Sequence, residues 1–386
     1  MSDEFESLLK FEIPEIIFGR GSLNQLGHCS RRIGGDKVLL VTDPGIIASG
    51  WVDEAIGYLK QEGLDCIVYD NVVTNPRSFQ VEQGAQEYSR NACDVIVAIG
   101  GGSPMDTAKG IAILASNHGH IEDYVGCNLI KQPIPPLICV PTTAGTGSDV
   151  SQFAIIADPE KKIKMTILSR AIMPDISLID PRLLQTKSAE MIASTGMDAL
   201  THAIEAFVSS LSWSLTDPYA SHAIKLVFRH LKEAMYKKSL DPLEGMAVAS
   251  LEAGAAFSNA ILGAVHALAH PLGGRYDLHH GLANAILLPV VLKRNLQHAP
   301  EKFALIANAM GVDIRGKTAV EAAENVPEQI ELLIKELHLP SKLSHVGVRK
   351  EDIPGLARDA AEDLCMMTNL HRYGVDEIEA MYKEAL

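Results

Sequence analysis

DVIVAIGGGSPMDTAK, residues 94–109, is an apolar, largely β-branched run that ends in three glycines and passes into a helical pattern. A strand buried on both faces has this unbroken apolar texture, because neither face meets water. Ser103 is placed to cap the helix, Pro104 suits its first position, and Asp106 completes a capping box three residues after the cap. Gly100, Gly101 and Gly102 let a backbone approach a pyrophosphate, and the helix start adds free N–H groups and the positive end of its dipole. A tight strand-to-helix turn with no ligand has the same local pattern. The motif is neither G-x-G-x-x-G nor a Walker A sequence: no G-K-[ST] follows, and no acidic residue is clearly placed about 20 positions on.

The same texture recurs on either side. KVLLVTD (37–43), DCIVYDNV (65–72), PPLICVPTT (135–143) and DISLIDP (175–181) are strand candidates, with helical patterns at 78–91 and 106–116. This alternation predicts βα units and a largely parallel sheet. After Pro181 it stops, and amphipathic helices are predicted at 188–209, 217–238, 242–258, 260–270, 280–295, 299–309, 317–337, 350–365 and 375–385. The expected division lies near residue 185, between an α/β domain over 1–185 and an all-helical domain over 186–386, without low-complexity linker or internal repeat. A cleft between the halves is the natural ligand site.

A formal net charge of −14 and the absence of any dense Lys/Arg run argue against nucleic acid or an anionic membrane as partner. The start, MSDEFESLLKFEIPEIIFG, is acidic and lacks the parts of an export signal. Met246–Leu268 has the length of a membrane span, but Glu252, Asn259 and His266 interrupt it, so a buried helical hairpin is expected. Cys29, Cys66, Cys93, Cys127, Cys139 and Cys365 are scattered without a C-x-x-C pair, as reduced thiols of a cytoplasmic protein would be.

PTTAGTGSD (141–149) is a second small-residue loop after a buried strand, and Thr142, Thr143 and Thr146 offer hydroxyls to phosphate or ribose. A Thr-rich turn alone looks the same locally. Asp43, ending KVLLVTD, is placed either to accept from an adenosine ribose and repel a 2′-phosphate, or to bond its own backbone in a DPG turn. VHALAHPLGGRYDLHHG (265–281) holds four of the fourteen histidines. His266 and His270 stand at i and i+4 on a helix that Pro271 is expected to break, and His279 and His280 follow. Asp198 and His202 share that spacing, so both leave one helical face. Imidazoles with a carboxylate suit Fe(II) or Zn(II), and spacing alone does not decide which four of these six side chains would bind it.

FEIPEIIFGRGSL, TNPR, AIGGGSPMDTAK, PTTAGTGSD, KMTILSRAIMPDISLIDP, GMDALTHAIEAF and VHALAHPLGGRYDLHHG together resemble the iron-containing alcohol dehydrogenase family, in order and spacing over nearly the whole chain. The resemblance implies a Rossmann-like parallel-sheet domain for NAD(H) followed by an all-helical metal-binding and substrate domain, the dehydroquinate synthase-like architecture. It implies Asp198, His202, His266 and His280 as metal ligands, the last two fourteen apart, with His270 near substrate as a candidate proton relay. On the cofactor side it implies Gly101, Gly102 and Ser103 at the pyrophosphate, Thr142, Thr143 and Thr146 on the second loop, Asn75 and Lys164 flanking, and Asp43 favouring NAD over NADP. Phe153, Phe257 and Cys365 fall at substrate-pocket positions. One departure stands out: TNLHRYGVDEIEAMY replaces the Asn-Pro-Arg of many relatives, which puts the wall at 365–373 in doubt.

The implied activity is reversible hydride transfer between a small primary alcohol or diol and NAD at Fe(II), with Zn(II) suited to the same ligands, in a cytoplasmic homo-oligomer. Rival readings are a glycerol dehydrogenase-like enzyme or a reductase of sulfonate, phosphonate or hydroxy-acid aldehydes. A rival of another class is a non-catalytic protein that holds nucleotide and metal.

Overall fold

Residues 10–386 are described by a computed structural model, so part of the acidic N-terminal stretch, 1–9, lies outside the described residues. In chain order the strands are β1 (Glu15–Phe18), β2 (Lys37–Val41), β3 (Asp65–Tyr69), β4 (Val95–Gly100), β5 (Gly126–Cys127), β6 (Leu137–Pro141), β7 (Phe153–Asp158), β8 (Ile163–Leu168) and β9 (Ile176–Ile179). Six of them form a fully parallel sheet in the order β1-β9-β6-β4-β2-β3. Val38, Leu40, Val95, Val97, Ile99 and Val140 pack on one face, and Leu39, Val41, Ile96, Ala98, Leu137 and Cys139 on the other. That two-sided burial is why these strands read as unbroken apolar runs.

Strand order reverses between β2 and β4: β3 lies outside β2, whereas β6 and β9 continue beyond β4. The carboxyl ends of β2 and β4 are therefore neighbours, which sets Asp43 beside the glycine turn at the point where open α/β sheets take ligands.

A second sheet, β5-β8-β7, departs from the sequence reading; β7 and β8 pair antiparallel from Phe153↔Leu168 to Asp158↔Ile163. All but one residue of β7 are buried, so no polar–apolar alternation marks it as part of a hairpin. After β9 the described residues form helices and no further strand. Helices Leu240–Ala260 and Ala264–Tyr276 meet at a 101° bend instead of folding back as the expected hairpin, with Ile261 at φ 63° in the connection. Among the described residues no single helix is long and apolar enough to cross a membrane.

Pro271 does not break its helix, which continues to Tyr276. The ring removes one backbone donor, but Ala267, Leu268, Ala269 and Leu272 are fully buried around it and packing holds the helix. The expected helix over 317–337 divides instead into Ala319–Ala323 and Asn325–Glu336, with Pro327 in the first turn of the second.

At the glycine turn the helix starts at Gly102, with Gly101 as its cap residue and no side-chain cap, so Ser103, Pro104 and Asp106 do not make the expected capping box. The reason is burial. Asp106 turns inward, accepting from Ser148 Oγ (2.6 Å) and Ile155 N (3.1 Å), near the ammonium of Lys109 one turn on. Lys109 has no exposed surface and donates to Ser151 O (2.8 Å), Phe153 O (2.7 Å) and Ser148 Oγ (3.2 Å). Burial lowers the Lys109 pKa and raises that of Asp106, each opposed by the other's charge. Lys109→Met would strand the two carbonyls and leave Asp106 without its cation. The expected loss is roughly 3–5 kcal/mol of stability, read as a lower urea midpoint; an unchanged midpoint would show that water replaces the ammonium.

Candidate functional site

Asp198 and His202 project from helix Ala189–Val208, His266 from helix Ala264–Tyr276, and His280 from the first turn of helix His280–Asn295. One ligand atom from each of the four lies within 4.8 Å of the others. Asp198 Oδ1 is 3.9 Å from His202 Nε2, 3.9 Å from His266 Nε2 and 3.7 Å from His280 Nε2. His270 stands beside this set without joining it, its ring stacked on His280 with centroids 5.6 Å apart. His279 caps the helix that His280 begins and stays outside the cluster.

His202 and His266 are oriented by what their other nitrogens meet, whereas the Nδ1 of His280 is buried without a partner. His202 Nδ1 lies 3.1 Å from the carbonyl of Gly145, so it carries the proton and Nε2 presents a lone pair. His266 Nδ1 lies 2.6 Å from Glu205 Oε2. Burial pushes the Glu205 carboxyl up to about 7, although N–H groups of Val265, Gly263 and His266 pull it down. Burial also drives His266 and His280 well below the usual imidazole range, which keeps both neutral and able to donate a lone pair to a cation. Asn284 Nδ2 donates to Asp198 Oδ1 (2.7 Å) and lies 3.1 Å and 3.3 Å from the Nε2 atoms of His266 and His280. Several lone pairs thus converge where a single amide now serves them, and the Asn284 Oδ1 has no partner. This donor set fits a divalent first-row ion.

Glu205, Asn284 and Asp363 escaped the sequence reading. Glu205 stands three residues after His202, and Asn284 four after His280, so helical spacing from a candidate ligand was the available signal. Asp363 had none: its Oδ2 meets His270 Nδ1 at 2.8 Å from 93 residues away. Burial alone would raise the Asp363 carboxyl, but the His270 imidazole and the Cys365 N–H hold it below the usual range.

The cluster opens into a cleft of about 760 Å³. Asp43, Asn75, Gly101, Gly102, Ser103, Thr143, Thr146 and Lys164 all line it, as do Phe153, Phe257, Cys365 and His270. Thr142 does not. It is fully buried behind β6 with its hydroxyl unpartnered, while its N–H bonds to Gly100 O (2.8 Å), because successive residues at a strand end point to opposite sides. A Cβ on Gly102 would stand 3.0 Å from Thr146 Cγ2, and one on Gly101 3.2 Å from Thr143 Oγ1, so a side chain at either position would push the two loops slightly apart. Asp43 Oδ1 caps the short helix Pro44–Ala48, accepting from Gly45 N (2.8 Å) and Ile46 N (3.1 Å), yet the residue also faces the cleft. Asn75 Nδ2 donates to Asp277 Oδ1 (2.6 Å). Burial lowers the Lys164 ammonium to about 8, against the pull of Asp106, Asp198 and Asp277. In the divergent C-terminal segment, Asn369 Oδ1 accepts from Ala264 N (3.1 Å) and so helps start the His266 helix.

Residues 14–181 match the family model described as iron-containing alcohol dehydrogenase, and residues 192–386 match that of the Fe-containing alcohol dehydrogenase family, C-terminal. A 1,3-propanediol dehydrogenase of Klebsiella pneumoniae is 41% identical over 382 residues, 98% of this chain and 99% of its own. An NAD-dependent methanol dehydrogenase of Bacillus methanolicus is 37% identical over 374 residues, 97% of this chain and 98% of its own. A crystal structure of a 1,3-propanediol oxidoreductase superposes with a TM-score of 0.96 at 41% identity, over 98% of this chain and 100% of that one.

Glu205→Gln keeps the size of the side chain but loses the charged acceptor that serves His266. Divalent-metal affinity is expected to fall about 10- to 100-fold, measured by competition with a chromogenic chelator on protein whose helical signal is unchanged. Equal affinity would show that His266 needs no such partner.

Proposed function

The chain belongs to the iron-containing alcohol dehydrogenase family, and from that premise we propose that it interconverts a small primary alcohol or diol and its aldehyde with NAD(H) at Fe(II). The observation that carries this is the convergence of Asp198, His202, His266 and His280 in the same cleft as the glycine turn. Zn(II) suits the same donors. When bound, the ion would act as a Lewis acid toward the alcohol or aldehyde oxygen, and the nicotinamide would accept or return the hydride.

The chain's own part is binding, orientation and proton handling. Gly102 and Ser103 line the cleft at a helix start that no side chain caps, the arrangement that holds a pyrophosphate. Thr143, Thr146, Asn75 and Lys164 flank it, and the second carboxylate oxygen of Asp43 is left for a ribose hydroxyl. His270, fixed through Nδ1 by Asp363, turns its other nitrogen to pass a proton between substrate and solvent. The sheet domain to about residue 185 would thus supply the cofactor and the helices after it the metal, with the cleft holding the reactants together. We extend the proposal to a cytoplasmic homo-oligomer; the six free cysteines, none of them paired, agree with a reducing compartment.

Stripping the metal under anaerobic conditions and restoring Fe(II) or Zn(II) should switch NADH formation from short primary alcohols off and on. His266→Ala should lose both metal and turnover while staying folded. Turnover by a demonstrably metal-free protein would overturn the assignment. Asp43→Gly should raise the kcat/KM for NADP relative to NAD, and an unchanged ratio would leave Asp43 with its capping role alone.

A further inference from the structure

We propose that the cleft beside His202 selects an unsubstituted short alkyl chain, so that simple primary alcohols and their aldehydes are preferred to diols of the same length. The inference rests on the dehydrogenase reading above and narrows its substrate. It starts from a column of rings: Phe153 lies 5.9 Å from Phe257, Phe257 stacks on His202 at 4.4 Å, and His202 stacks on His266 at 4.6 Å, centroid to centroid. A substrate whose reacting oxygen sits at the four donors therefore extends its carbon chain along Phe257 and Phe153. Leu262 and Cys365 line the same cleft, and all four side chains are buried.

A second hydroxyl carried into that space needs a partner, and most of the neighbouring polar atoms are already engaged. The Phe153 carbonyl accepts from Lys109, and the Leu262 carbonyl from Thr368 Oγ1 (2.6 Å). Ser148 Oγ donates to Asp106, and Ser151 Oγ accepts from Lys109. Asp363 is engaged by His270 on one oxygen and by Cys365 N on the other. The Cys365 thiol is neutral and a weak hydrogen-bonder. Lys164 and Thr166 also line the cleft, but on β8 they stand opposite Ala157 and Ile155, while Phe153 pairs with Leu168. What remains is the hydroxyl proton of Ser151, whose oxygen is held by Lys109, and the free nitrogen of His270, which the reaction itself employs. A hydroxyl buried without a partner is penalised, and an apolar pocket discriminates against one by about 10- to 100-fold.

The test compares kcat/KM with NAD for 1-propanol and 1-butanol against 1,3-propanediol and 1,2-propanediol, in the wild type, Phe153→Ser and Phe153→Tyr. The tyrosine variant keeps the ring should the serine variant fail to fold. Binding of butyramide and of 3-hydroxypropanamide to the enzyme–NADH complex, read by thermal shift, follows the same preference without turnover. The expected result is an advantage of about 10- to 100-fold for 1-propanol over 1,3-propanediol, shrinking about tenfold when either variant supplies a hydroxyl. Diol oxidation as efficient as that of the monoalcohol, or a ratio indifferent to both substitutions, would overturn the proposal. No NADH from any alcohol, with butyramide still the tighter amide, would remove the dehydrogenase reading and leave the apolar selectivity standing. Equal binding of the two amides would remove the selectivity as well.

Discussion

Glu205 is a carboxylate with almost no contact with solvent, and it survives there by accepting from one stretch of backbone and one ring. Its oxygens take the N–H groups of Gly263 (3.1 Å), Val265 (2.6 Å) and His266 (3.4 Å), while Asn369 takes that of Ala264 between them. Helix starts carry N–H groups without intrahelical partners, and burying them unpaired would be costly. Glu205 answers that need for the helix bearing His266 and also holds the His266 ring. Because it sits on the helix that carries Asp198 and His202, one side chain sets three of the four clustered side chains relative to one another. The remaining one, His280, is tied in through Asn284, which touches Asp198, His266 and His280 together.

The glycine-turn side of the cleft has a comparable pin. Lys109 and Asp106 fasten the helix after the glycine turn to Ser148, Ser151, Phe153 and Ile155, so the loop after β6 and the start of β7 cannot move independently of it. Gly147, at φ 58°, lets that loop press against Gly254, where a Cβ would stand 2.7 Å from the Gly254 Cα. The glycine turn and Phe153 thus share one rigid support. The divergent C-terminal segment is part of the same framework: Asn369 and Tyr373 both bond to Asn295 and keep the wall behind Cys365 in place.

Much of this was legible because its causes are local. Sheet strands buried on two faces must be apolar throughout, so β2, β4, β6 and β9 announce themselves. The i, i+4 spacing of Asp198 and His202 commits both to one helical face before anything is known of the fold. The β7–β8 hairpin stayed hidden because burial of β7 erases the alternation that would reveal it. Asp106 differs for a related reason: its position fits a capping box, but the side chain turns inward to the Ser148 hydroxyl and the Ile155 N–H, beside the buried charge of Lys109.

Residue order by itself thus determined the parallel sheet, the helical second half, the glycine turn and a pool of six candidate ligands. Tertiary structure decided which of them meet: His280 and not His279, Thr143 and Thr146 but not Thr142, and Asp363 behind His270. The physical reason is range. Periodicity and capping act over a few residues, and a chain carries their record in its composition. The direction in which a side chain points across a cleft depends on segments packed from 60 to more than 90 positions away, such as Glu205 against His266 and His270 against Asp363, and only the folded packing sets it.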